Sequence, residues 1–212
     1  MESPPAVWPF RMQPANAGFR SYSLDGARLF FHPRSGTSIR VCNDATAAER
    51  RRAPRVAMFG ITNACNLSCD FCSRDVARKS AWTVASAFDA LKGLADAGTL
   101  EVAFGGGEPF TFRGFSKLVA KLSDETPLAL PVTTNGTLLT EDSWPAFANR
   151  FGQVRLSIYE DSTWRRCAKL FAKTEQRWGA NLLVEDATLA SLAKQLKGFA
   201  DAGCHDVSLL SY

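Results

Sequence analysis

The residues best able to do chemistry lie in one stretch, TNACNLSCDFCSRD, residues 62–75, where Cys65, Cys69 and Cys72 set three thiols at spacings of four and three. Thiolates are soft anionic ligands that suit zinc and iron–sulfur clusters. A structural zinc site takes four ligands, usually as two close pairs. The two histidines, His32 and His205, stand at no zinc spacing from the cluster, and Cys42 is a distant thiol that could complete it. A cubane iron–sulfur cluster has four iron corners, so three cysteines leave one iron free to chelate an amine and a carboxylate. A second stretch, VAFGGGEPF at 102–110, combines glycines, which let backbone approach closely, with Glu108, an acceptor for an ammonium group. It has no Gly-Lys-Ser/Thr ending and no G-x-G-x-x-G pattern, so it is not a phosphate cradle. Taken alone, such a glycine loop is more often a plain turn.

These residues must be positioned by the elements around them. Past residue 54, six short apolar runs read as strands: 55–62, 99–106, 128–136, 152–160, 179–186 and 206–212. Helical faces fall between them. Val84, Ala87, Phe88, Leu91 and Leu94 form one, with Gly98 as its cap; Phe115, Leu118, Val119 and Leu122 form another. Trp164, Cys167, Ala168 and Phe171 repeat the spacing, as do Leu189, Leu192, Leu196 and Phe199 before Gly203, whereas a helix around 140–150 is only weakly marked. Strands alternating with helices give right-handed parallel β-α units, which fit a partial barrel or an open doubly wound sheet. Either fold gathers ligands at the carboxyl ends of its strands. The cysteine loop follows the first run there, GGGEP ends the second and TTNG ends the third. The first 54 residues differ in kind: alternating residues around DG and RSG turns predict a small β-hairpin or three-stranded piece, followed by the charged connector DATAAERRRAPR. The expected division is therefore an extension over 1–54 and an α/β unit over 55–212.

The pattern C-x3-C-x2-C, with the aromatic Phe71 just before the last cysteine and a strand before the first, resembles the radical S-adenosylmethionine (radical SAM) superfamily over about residues 55–212. The resemblance implies a partial (β/α)6 TIM-like barrel with a [4Fe-4S] cluster on Cys65, Cys69 and Cys72. Its fourth iron would hold the amino and carboxylate groups of S-adenosylmethionine. One electron then splits the sulfonium into methionine and a 5'-deoxyadenosyl radical, which takes hydrogen from a substrate. Carried over residue by residue, the resemblance gives Gly106, Gly107 and Glu108 to the methionine amino group and Phe71, Thr134 and Asn135 to the cofactor's surroundings. It gives Ser157 to the ribose and Asn181 to the methionine carboxylate or the substrate. A family subset ends its fourth strand in SIDG, but this chain reads Ser157, Ile158, Tyr159, Glu160, so no role carries over to the last two. Partners implied are a peptide or small-molecule substrate and an electron donor such as flavodoxin or ferredoxin.

Composition narrows the field further. With 212 residues, 46% of them hydrophobic, the chain can bury one sizeable core. A net charge of +4 from 25 basic and 21 acidic residues indicates neither nucleic acid nor membrane as a partner. No apolar run reaches the roughly 18 residues of a membrane span, and the N-terminus lacks the pattern of a secretion signal, so a cytoplasmic protein is expected. Cys42, Cys167 and Cys204 lie far from the cluster and read as non-ligating, Cys167 on an apolar helix face. The sequence stops at the sixth strand without a covering helix, as a fragment of a longer chain would. The edge strand expected within 18–42 is a place where a peptide substrate could add. Two other readings stand beside the leading one: a non-catalytic iron–sulfur or zinc module, and an enzyme that breaks a different sulfonium bond.

Overall fold

The computed structural model describes residues 18–78, 80–159 and 161–211. Glu160 and Tyr212, at the ends of two expected strands, and the N-terminal stretch 1–17 lie outside the described residues.

Strands β1 (Arg20–Leu24), β2 (Ala27–Phe31) and β3 (Ser38–Val41) form an antiparallel sheet in that order, so the extension is three-stranded rather than a lone hairpin. Leu24 pairs with Ala27 across a two-residue turn, Asp25-Gly26, in which Gly26 takes the positive φ of 70° that such turns favour.

Every one of the six apolar runs contains a strand: β4 (Val56–Thr62), β5 (Glu101–Gly106), β6 (Val132–Thr134), β7 (Val154–Ile158), β8 (Trp178–Leu183) and β9 (Val207–Leu210). All pair in parallel and in chain order. A doubly wound sheet would reverse its order at a switch point. This one does not, and it forms an unclosed (β/α)6 barrel. Helix α1 (Val84–Ala97) opens on a capping box between Thr83 and Ser86 and closes on Gly98 at φ 103°. Helices α2 (Phe115–Glu125) and α3 (Asp161–Lys173) follow β5 and β7.

Two helical readings are corrected. The stretch 140–150 holds only a single 3-10 turn, Trp144–Ala146, where Pro145 supplies no N–H for a longer helix. The face expected to run from Leu189 to Phe199 is divided between α4 (Asp186–Leu189) and α5 (Leu192–Asp201), and Leu189 points to solvent.

One face of the sheet is apolar. Val102, Phe104, Val132, Val154, Leu156, Ala180 and Leu182 pack against Leu91, Leu118, Phe171 and Phe199 of the helices. The alternate positions, including Thr133, Arg155, Ser157 and Asn181, are half-buried, and Met58 is 89% exposed, so the opposite face is polar and open. The N-terminal sheet sits at the amino ends of these strands. Leu29 and Phe31 of β2 bury against Leu100 and Ala129, just ahead of β5 and β6, and Arg34 donates to Asn149 before β7. The edge strands within 18–42 therefore lie at the end of the barrel away from the cysteine loop.

Candidate active site

The cysteine loop runs from the end of β4 to Thr83 at the start of α1. Cys65 and Cys69 are half-buried and Cys72 is exposed. The Leu67 N–H donates to the Cys65 sulfur at 3.4 Å, and Cys72 N–H donates to the Cys69 carbonyl at 3.0 Å, which folds the loop back on itself. All three cysteines line one cleft of about 170 Å³, walled by Gly105–Glu108 at and just past the end of β5, Thr133–Asn135 at and just past the end of β6, and Ser157 and Tyr159 at and just past the end of β7. Among the described residues no three His, Cys, Asp or Glu side chains converge on a point that a single metal ion could fill. Three cysteines lining one cleft supply the donor type that three corners of a cubane take, one cysteine to each.

The glycines of GGGEP serve a contact that the sequence does not reveal. A Cβ on Gly106, which sits at φ 119°, would lie 2.3 Å from the Thr62 carbonyl oxygen, and one on Gly107 would lie 2.1 Å from that of Ala64. The close approach is between two segments of the chain itself. Gly107 N–H donates to the Thr62 carbonyl (2.7 Å), Glu108 N–H to that of Ala64 (2.8 Å), and the Thr111 hydroxyl to Ala64 as well (3.2 Å). The end of β5 thus fixes the residue next to Cys65. Gly105 differs: a Cβ there meets nothing within 4 Å, and the residue borders the cleft.

Glu108 is 1% exposed. Its Oε1 accepts from the Phe110 N–H (3.1 Å) and the Thr134 hydroxyl (2.8 Å), and its Oε2 from the Asn135 N–H (2.8 Å). A carboxylate offers about four acceptor positions, and these bonds take three of them. Burial raises the Glu108 pKa above the ordinary carboxylate range, and the three hydrogen bonds only partly oppose that rise.

Asn135 ties β6 to the cysteine loop. Its Nδ2 donates to Asn66 Oδ1 (2.9 Å), while its Oδ1 accepts from the N–H and hydroxyl of Thr137, which in turn accepts from Asn66 Nδ2 (2.7 Å). Sequence reasoning did not single out Asn66; its only signal was a side-chain amide directly after Cys65.

Ser157 borders the cleft and pairs in register with Asn181 on β8. Asn181 itself is outside the cleft wall, and its side-chain oxygen accepts from Arg155 at 3.2 Å. Tyr159, left without a role by the sequence, lines the same cleft as the three cysteines, and its ring lies 6.2 Å from that of Phe71 at an interplanar angle of 16°. Burial first, and then Cys69 and the neighbouring thiols, raise the Tyr159 pKa well above the usual phenol range and keep the group protonated. The remaining thiols stay away. Cys42 ends the N-terminal sheet region, Cys204 donates to the Asp206 carbonyl, and Cys167 is fully buried, its pKa pushed up to about 11 by burial.

A model of the Radical SAM superfamily matches residues 59–180, more than half of the chain. The chain belongs to the radical SAM superfamily. Members are enzymes, and their cofactors are S-adenosylmethionine and a [4Fe-4S] cluster. No curated protein matches the chain in sequence. Among solved structures, the radical SAM chain is similar to Streptococcus suis SuiB bound to S-adenosylmethionine, with a TM-score of 0.74 and 12% identity over 92% of this chain and 62% of that one. SuiB bound to the precursor peptide SuiA gives 0.68 and 17% over 76% and 40%. TsrM, a radical S-adenosylmethionine methyltransferase from Kitasatospora setae with cobalamin and a [4Fe-4S] cluster bound, gives 0.60 and 14% over 74% and 36%. At these identities the likeness is one of fold. The chain spans between 36% and 62% of the length of these proteins.

Proposed function

We propose that this radical SAM chain holds a [4Fe-4S] cluster on Cys65, Cys69 and Cys72, cleaves S-adenosylmethionine reductively, and acts on a peptide. The observation that carries the reading is the shared cleft, which three cysteines line together with a buried carboxylate. When bound, the cofactors supply one electron to the sulfonium and a 5'-deoxyadenosyl radical that takes hydrogen from the substrate. The chain's own residues do the positioning. Glu108 binds and orients the methionine ammonium, and Asn135, through Asn66, keeps the cysteine loop against β6. Ser157 offers a hydroxyl at the cleft wall for the ribose, Phe71 and Thr134 border the same space, and Asn181 stands one strand further on toward the substrate side.

The substrate lies along the open polar face, where Arg155 donates to Asn181 and Ser208. Supporting a peptide there are the exposure of that face and the likeness in fold to SuiB, which has been solved with its precursor peptide. In this reading residues 55–212 form the catalytic barrel and residues 1–54 an extension, whose three-stranded sheet braces the barrel from the far end. The electron comes from a carrier such as flavodoxin or ferredoxin, and the setting is the reducing cytoplasm, where thiols stay free. Among the described residues no helix is long and apolar enough to cross a membrane.

The test is anaerobic reconstitution with iron and sulfide, followed by S-adenosylmethionine and dithionite, with products read by mass spectrometry. 5'-Deoxyadenosine is the expected product. Methylthioadenosine in its place would mean that a different sulfonium bond breaks, and no cleavage at all would favour a non-catalytic module.

A further inference from the structure

We propose that Arg155 turns Asn181 and Ser208 into a pair of hydrogen-bond donors on the open face of the barrel, a subsite for a neutral amide carbonyl of the substrate; the inference deepens the peptide reading above and rests on it. Asn181 of β8 and Ser208 of β9 stand opposite each other in register, at half-buried positions of the polar face. Arg155 reaches both from β7. Its Nη1 donates to Asn181 Oδ1 (3.2 Å), Ser208 Oγ (3.1 Å) and the Ala180 carbonyl (3.2 Å), and its Nη2 is paired with Asp206 just ahead of β9.

The reach of that side chain, across β8 to β9, is built into the sequence. Its register partner on β8 is Gly179, where a Cβ would lie 2.8 Å from Asp206 Oδ1 and 2.8 Å from Gln153 Nε2. A glycine there leaves room for the ion pair. Gln153 Nε2 donates to Asp206 Oδ2 (2.6 Å), and Arg177 stands 3.8 Å from the same oxygen, so the carboxylate that holds Arg155 is itself held.

The chemistry follows from the atoms that Arg155 occupies. A guanidinium only donates, so the Asn181 atom facing it is the oxygen, and the two N–H bonds of Nδ2 are left for another partner. Ser208 accepts through a lone pair and keeps its O–H to give. Among the described residues no acceptor takes either donor. Neighbouring strands lie about 4.8 Å apart, so one oxygen can sit within about 2.9 Å of both donors. The charge of Arg155 is already paired with Asp206, and two neutral donors match a neutral carbonyl oxygen, which loses less hydration on entry than a carboxylate does. A peptide presents such an oxygen at every residue. Arg155 is thus a positioning residue, and Asn181 and Ser208 are the groups that touch the substrate.

The experiment titrates the isotope-labelled, iron-free full chain with N-acetylglycine N-methylamide, a capped peptide unit, and in parallel with acetate, following the Asn181 side-chain amide by NMR. The expected result is a saturable shift of the Nδ2 resonances with the peptide unit and a weaker response to acetate. Asn181→Asp keeps the oxygen that Arg155 holds and removes the donor, and Ser208→Ala removes the other. Each should weaken the peptide unit roughly five- to tenfold, the worth of one neutral hydrogen bond, in a chain that keeps its fold. Arg155→Met should weaken it as well, although it leaves both donors present, and Arg155→Lys, which retains a donor to Asn181, should restore part of the loss. No saturable shift in wild type, acetate bound as tightly as the peptide unit, or wild-type affinity in Asn181→Asp, Ser208→Ala or Arg155→Met would each overturn the inference; should Arg155→Met fail to fold, the other two variants decide. The titration needs no iron, so its failure would leave 5'-deoxyadenosine formation, and with it the proposed activity, intact. A chain that takes the probe but forms no 5'-deoxyadenosine would lose that activity and keep the subsite.

Discussion

At the amino ends of the barrel strands the chain is sealed by apolar contact, Leu29 and Phe31 of β2 against Leu100 and Ala129. At the carboxyl ends, the loop carrying the cysteines is fastened by hydrogen bonds from Gly107, Glu108, Thr111 and Asn135. Apolar burial is non-directional and yields stability in proportion to the area removed from water. Hydrogen bonds contribute less net free energy but fix atoms in place. One end thus carries stability and the other geometry, and substitutions should separate the two.

The strongest break falls on the thiols. Replacing Cys65, Cys69 or Cys72 with alanine should abolish the cluster, read as iron per chain after anaerobic reconstitution, where wild type is expected to bind about four. The same change at Cys42, Cys167 or Cys204 should leave iron binding intact; in the case of Cys167, some stability is lost because it is buried.

Phe31→Ala probes the apolar end. Deleting a buried phenylalanine side chain typically costs about 3 to 5 kcal/mol, so the melting temperature should fall steeply while the folded fraction still loads iron and binds S-adenosylmethionine. Gly107→Ala probes the other end. Its Cβ would lie 2.1 Å from the Ala64 carbonyl oxygen, so one of the two backbones must move, at a cost of about 1 to 3 kcal/mol, and iron loading should fall with it. Gly105→Ala is the control: with nothing within 4 Å of the new methyl, iron should stay and only cofactor affinity change. Equal iron loss in Phe31→Ala and Gly107→Ala would erase the distinction between the two ends.

A smaller effect is expected at Glu108. Glu108→Gln should weaken S-adenosylmethionine binding by about 1.5 to 3 kcal/mol, the worth of a charge-assisted hydrogen bond. The pH dependence has a definite sign. Because burial raises the Glu108 pKa, acidification protonates it earlier than an exposed glutamate, and a neutral acid cannot pair with the ammonium. Affinity, measured by isothermal titration, should therefore fall as the pH drops through a value above the ordinary glutamate range, and this fall should be absent in Glu108→Gln.

Much of the frame was legible because it is local. Each barrel strand is a short apolar run bounded by turn residues, and the Asp25-Gly26 turn marks the first hairpin within the sequence itself. Where local signals were thin, the reading missed. Pro145 limits the stretch 140–150 to a single turn, and the face from Leu189 to Phe199 breaks before Leu192 although its spacing is continuous. At the site, types and spacing exposed the cysteines, and GGGEP stood out as glycine-rich. The partner of those glycines was hidden, because the contact of Gly107 with Ala64 exists only once β4 and β5 lie side by side. The same holds for the bonds that Thr134 and Asn135 make to Glu108, 26 and 27 residues away, and for Tyr159 on the wall of the cysteine cleft. Sequence shows which groups are present, while the sheet decides which of them meet.

The central claim is a three-thiolate cluster with one iron open to S-adenosylmethionine. Its most direct test is the electron paramagnetic resonance spectrum of the reduced wild-type protein, recorded before and after addition of the cofactor. The account predicts a changed spectrum with S-adenosylmethionine and a weaker response in Glu108→Gln. An identical spectrum at saturating cofactor, in protein carrying about four irons per chain, would contradict it.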